Sequence, residues 1–112
     1  MTSRLPRRLM LLLPAFAAIA APALAQSPPY VLALRNRQWE PPILEVPADQ
    51  KIELQITNTG TTAAEFESTD LRREKLLPPG QKVVVFIGPL RPGTYEYFDD
   101  FNRAARGRII AR

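Results

Sequence analysis

Across 112 residues the sequence has no cysteine and no histidine, and its only two methionines are Met1 and Met10. These absences exclude disulfides, zinc sites of the Cys/His kind, haem ligation through His or Cys, and nucleophilic catalysis by Cys or by a Ser-His pair. Basic residues are not gathered into one run with interleaved aromatics, so nothing indicates a nucleic-acid partner. No apolar run reaches the about 18 to 20 residues that span a bilayer. Sustained helical periodicity is missing as well.

What is present begins with a leader. Met1 to Ala25 has the layout of a secretory signal: Arg4, Arg7 and Arg8, then an apolar stretch from Leu9 to Ala21, then the small residues of Ala23-Leu24-Ala25. Cleavage is expected after Ala25, with export to a bacterial periplasm and no membrane insertion once the signal is gone. The Arg7-Arg8 pair also admits a twin-arginine route, although the rest of that pattern is loose and the ordinary secretory route fits better. Residues 26–112 then form one domain. Removing the three leader arginines leaves 15 − 3 = 12 basic residues against 11 acidic ones, a net charge of +1. The exported chain keeps no sulfur and no imidazole, so its side-chain donors for an ion are oxygens.

The remaining sequence reads as short extended runs divided by turn residues. Tyr30–Arg35, Ile43–Val46, Lys51–Thr57, Ala64–Ser68, Lys82–Ile87, Thr94–Phe98 and Gly107–Ala111 are the expected strands. In Lys51–Thr57, Ile52, Leu54 and Ile56 alternate with Glu53, Gln55 and Thr57, the mark of a strand with one buried face. Lys82–Ile87 is apolar on both faces, as a central strand would be. Asp70–Lys75 is expected to be a strand edge or loop, because its acids at i and i+4 argue against a helical turn. About seven strands at spacings near ten residues predict an all-β fold, a Greek-key β-sandwich. Trp39, Tyr30, Tyr95 and Tyr97 read as core or rim aromatics.

Three segments carry the chemistry: Glu65-Phe66-Glu67-Ser68, Leu71-Arg72-Arg73-Glu74-Lys75 and Tyr95-Glu96-Tyr97-Phe98-Asp99-Asp100-Phe101. Together they resemble the cupredoxin-like domain of periplasmic ferrous-iron uptake systems, over about Trp39 to Ala111. The resemblance implies a cupredoxin-like sandwich that works with an iron permease or another periplasmic iron-uptake component, binds iron or copper, and assists ferrous-iron oxidation or delivery. It also carries metal-linked positions onto Glu67, Glu74, Asp99 and Asp100. Asn102 stands where relatives usually have His, which weighs against copper.

Donor chemistry points the same way. A blue-copper centre needs a Cys thiolate and two imidazoles, and the Cys and second His normally follow the strand spelled here Thr94–Phe98. Asp99, Asp100 and Asn102 occupy that place. Carboxylates suit hard cations, so iron is favoured over copper. Glu65 and Glu67, two apart on one strand, share a face and both reach toward one ion. Asp99 and Asp100 share a site only where the chain turns. The competing reading is a metal-free sandwich that binds a partner protein, with Arg72, Arg73, Lys75, Arg103, Arg106 and Arg108 neutralising the acids in surface pairs of about 0 to 1 kcal/mol each.

Overall fold

A computed structural model describes residues 28–112; the signal read over residues 1–25 lies outside the described residues. Nine strands follow one another: β1 (Tyr30–Arg35), β2 (Gln38–Glu40), β3 (Ile43–Val46), β4 (Ile52–Asn58), β5 (Ala64–Ser68), β6 (Arg73–Leu77), β7 (Lys82–Ile87), β8 (Gly93–Asp99) and β9 (Asn102–Ala111). They form a four-stranded sheet in the order β2-β1-β4-β7 and a five-stranded sheet in the order β3-β9-β8-β5-β6. β1 runs parallel to β4 and β3 parallel to β9, while the other pairs are antiparallel. No helix occurs among the described residues, so the all-β sandwich expected from strand spacing is the fold.

The period of two decides what each strand buries. Ile52, Leu54 and Ile56 on β4 are fully buried, and they join Leu32, Phe66, Tyr97 and Ile109 in one core. Burying each such side chain contributes about 1.5–3 kcal/mol. Two short strands raise the number from about seven to nine. β2 follows a tight turn at Asn36-Arg37, where both residues have positive φ (49° and 61°), as the right-handed twist of a two-residue hairpin demands. β6 shows that residues 69–72 turn and residues 73–77 extend, so the acidic-basic segment is an edge strand. Ser68 secures that turn: its Oγ donates to Glu96 O (2.6 Å) and accepts from Leu71 N (3.0 Å).

One placement corrects the sequence reading. Lys82–Ile87 lies at the edge of its sheet and not at the centre. Val85 and Ile87 point into the core, whereas Val84 and Phe86 are 39% and 49% exposed. The Lys51 ammonium covers part of the Phe86 ring, 4.6 Å from its centroid. An apolar residue on both faces therefore marked a partly shielded edge.

The inner face of the five-stranded sheet is organised by three rings. Trp39 meets Tyr97 edge-on at 5.1 Å and Phe66 at 6.0 Å, and Phe66 lies 5.1 Å from Tyr97. Trp39 Nε1 donates to Ala105 O (3.0 Å), tying β2 to β9. Tyr97 is fully buried, its hydroxyl finds no hydrogen-bond partner among the described residues, and burial pushes its ionisation well upward. Its ring lies against Gly107, where an added Cβ would come within 2.4 Å of the phenol carbon and oxygen.

Two outcomes follow for stability. Gly107→Ala is expected to destabilise by about 1–3 kcal/mol, because the ring and the strand backbone must part to admit the methyl group. Tyr97→Phe is expected to be neutral or stabilising, by up to about 1–3 kcal/mol, since it removes a desolvated hydroxyl that gains nothing in return. Urea denaturation of the two variants beside the parent checks both; a clear loss in the Phe variant would show that the hydroxyl has a partner.

Candidate metal site

Phe66 is the residue from which the site is built. Because it is sealed in the core, the neighbouring Glu65 and Glu67 on β5 must project from the outer face of the five-stranded sheet, where both are half-buried. β6 and β8 flank β5, and the register sets Glu67 opposite Glu74 on one side and opposite Phe98 on the other. The chain then reverses between β8 and β9 at Asp100-Phe101, with Asp99 paired to Asn102. Asp100 N donates to Glu65 O (2.9 Å), while Asp99 Oδ1 accepts from both Glu65 N and Phe101 N (3.0 Å each). That double clasp locks the hairpin turn to β5.

The result is a cluster in which one carboxylate oxygen each from Glu65, Glu67 and Asp100 lies within 4.8 Å of the others. Like charges so close hold protons that isolated carboxyls would release. Glu65 is pushed up from 4.5 to about 7, first by the hydrogen bond it shares with Glu74, then by desolvation and by the charges of Glu74, Asp100 and Glu67. Glu67 is also raised, first by desolvation, then by Asp100 and Glu74, with Arg103 pulling the other way. Arg103 Nη2 pairs with Asp100 Oδ1 at 3.0 Å.

Of the four positions carried by the resemblance, the structure brings Glu67 and Asp100 together. Glu74 stands beside them, exposed and opposite Glu67 in the strand register, close enough to raise the ionisation of Glu65. Asp99 is buried on the other side of the turn with its Oδ1 committed to two backbone N–H groups, so it positions Glu65 and the turn and lies outside the converging trio. Glu65 completes the trio. Its signal was the alternation Glu65-Phe66-Glu67, which places both acids on one face.

The arginines do not neutralise the cluster one for one. Among the described residues the ion pairs are Arg103–Asp100, Arg35–Glu40 and Arg112–Glu45. Arg73 instead donates to the carbonyls of Phe86 and Arg72, and the Arg106 guanidinium rests 5.2 Å over the Phe98 ring. A separate cleft of about 410 Å³ opens beyond the same hairpin, lined by Leu34, Arg37, Asn58, Asp99, Phe101 and Asn102 among others. The three converging acids stand outside it.

Known proteins give this geometry a context. The family described as Cupredoxin-like domain matches residues 8–111. An uncharacterized protein of Rickettsia prowazekii (strain Madrid E) is 42% identical over 80 residues, covering 70% of this chain, and the chain spans 64% of that relative's length. Among solved structures, amicyanin from Paracoccus versutus superposes with a TM-score of 0.60 at 14% identity, over 78% of this chain and 84% of that one. A purple cupredoxin from Nitrosopumilus maritimus gives 0.57 at 14%, over 74% and 99%. An amicyanin variant described in its Cu(I) form gives 0.60 at 15%, over 78% and 85%. At such identities the likeness is one of fold.

A blue-copper centre does not fit these residues. It calls for a thiolate and imidazoles, and the chain has neither cysteine nor histidine. The donors that the hairpin and β5 bring together are three carboxylates.

The cluster has a pH signature. The folded protein keeps on Glu65 a proton that the unfolded chain gives up near 4.5, so stability falls as pH rises from about 4.5 through about 7 and levels off above that. Glu65→Gln is expected to flatten this decline and to melt higher than the parent above neutrality. Thermal melts in chelator-treated buffers across that range check it; an unchanged slope would mean that Glu65 ionises as freely as in a peptide.

Proposed function

The chain belongs to the cupredoxin-like domain family, and on that premise we propose that it is an exported metal-handling protein of ferrous-iron uptake, holding an iron ion on carboxylates and passing it to a permease. The observation that carries this reading is the convergence of Glu65, Glu67 and Asp100, with Glu74 adjoining, on the outer face of the sheet. Oxygen donors of this kind suit hard cations, and ferric iron is harder than ferrous iron. A cage that holds Fe³⁺ more tightly than Fe²⁺ lowers the cost of removing one electron, which dioxygen accepts. Three or four carboxylates leave coordination positions for water or for a ligand from the partner, which suits a site that must release its cargo. The secretory signal and the resemblance of residues 39–111 to periplasmic iron-uptake domains support the same role.

Each residue then has a task. Glu65, Glu67 and Asp100 supply oxygen; Glu74 adjoins them as a further carboxylate; Asp99 holds Glu65 and the turn in register. Because the proton on Glu65 leaves near pH 7, cation affinity is expected to rise with pH and to reach a plateau just above that value.

Calorimetric titration of the purified protein with Mn²⁺, and with Fe²⁺ under anaerobic conditions, is expected to show one site in about the micromolar range. Glu67→Gln combined with Asp100→Asn is expected to weaken it by at least about 10- to 100-fold, the loss that even outer-shell partners of a metal produce. In air, Fe²⁺ is expected to disappear faster with the protein than with this double variant. Calorimetry without uptake of iron, manganese or copper would end the proposal.

A further inference from the structure

The cleft beyond the β8–β9 hairpin is walled by a loop that the fold holds in place. Asn58, buried at the end of β4, spends its side chain there: Nδ2 donates to Thr62 O and to Leu77 O, and Oδ1 accepts from Gly60 N (2.9 Å each). Thr59 N and Oγ1 both donate to Leu34 O (3.0 and 2.9 Å), which fastens the same loop to β1. At about 410 Å³ the space falls within the range of small-molecule clefts, about 300–1,000 Å³. Two charged side chains line it, Asp99 and Arg37. Asp99 is only 5% exposed, yet Oδ1 alone is bonded, to Glu65 N and Phe101 N; Oδ2 takes no hydrogen bond among the described residues. Nor is Oδ2 sealed, since among the described residues the Tyr97 hydroxyl is the one fully buried polar side-chain atom without a partner. It therefore opens on the cleft that Asp99 lines. Arg37, exposed on the β1–β2 turn, forms no ion pair among the described residues.

We propose that this cleft binds a small zwitterion, a free amino acid with an apolar side chain, its ammonium on Asp99 Oδ2 and its carboxylate on Arg37. The unbonded oxygen is what calls for a ligand. A largely desolvated acceptor without a donor is costly, and an ammonium supplies the charge-assisted hydrogen bond that recovers the loss. A divalent ion gathers about six oxygens, whereas this cleft offers one carboxylate beside a guanidinium. That guanidinium is the matching half: its planar fork takes a carboxylate in two parallel hydrogen bonds. The ligand's side chain then meets Leu34, Ala63 and the Phe101 ring, which is 57% exposed. Glu65, Glu67 and Asp100 lie outside this cleft, so the amino-acid site and the metal site stand or fall separately.

The experiment is an NMR titration of the full chain with L-leucine and with L-phenylalanine, following the backbone amides of Gly60 and Asn102 at the cleft. Saturable shifts are expected for at least one of the two, with Kd of about 1 mM or below. Two truncated probes test the two ends: 3-methylbutylamine lacks leucine's carboxylate, 4-methylpentanoate lacks its ammonium, and each is expected to bind at least about tenfold more weakly than leucine. Asp99→Asn keeps Oδ1 as acceptor for the turn and replaces only Oδ2, so it is expected to weaken binding about tenfold or more with the fold intact. Arg37→Gln, at an exposed turn, is expected to weaken it about three- to tenfold. Absence of saturable shifts with both amino acids would overturn the proposal, as would unchanged affinity in both variants. Binding of the amine or the acid as tight as that of leucine would overturn the pairing of the two charges.

Discussion

The packing of Phe66 against Tyr97 and Trp39 is the contact on which the rest depends. It joins three strands distant in sequence, and it fixes which face of β5 is inside. Once that face is fixed, the two-residue period of the strand turns Glu65 and Glu67 outward with no further instruction. Displacing the strand by one residue would bury both acids and expose the ring, at a cost no surface contact offsets. The chemical face is thus a by-product of how the core is filled.

The hairpin turn supplies the third acid by a different means. Asp99 spends its Oδ1 on two backbone N–H groups, and in doing so aligns the following residue with β5. Adjacent aspartates therefore divide the work, one buried and fixing geometry, the other half-buried and presenting charge. The contact with Glu74 for Glu65 and desolvation for Glu67, with the neighbouring like charges added, raise the ionisation of both acids. A cupredoxin-type frame here supports oxygen donors on the outside of a sheet, where sulfur and imidazole have no counterpart.

Much of the scaffold was legible in the sequence because its information is local. Alternation along Lys51–Thr57 and the pairing of turn residues with apolar runs reveal strands without any knowledge of their neighbours. β2 escaped notice because three residues carry too short a period to stand out, and the mixed charges of Asp70–Lys75 left strand edge and loop both open where β6 forms. The place of Lys82–Ile87 at an edge depends on sheet order, which strand composition does not encode. The same limit governs the site. Glu65 and Glu67 could be paired from their spacing, but the separate task of Asp99 is fixed by a hydrogen bond across 34 positions, and the reach of Arg103 by a bulge in β9.

The exposed edge at β7 has a consequence for life at high concentration. Six residues, Lys82-Val83-Val84-Val85-Phe86-Ile87, carry one charge and no proline, the composition that recruits strands from neighbouring molecules. Arg73 already occupies the Phe86 carbonyl and Lys51 sits over the Phe86 ring. An incoming strand must first draw the Arg73 guanidinium off that carbonyl, so this one side chain guards against self-association where the ladder ends.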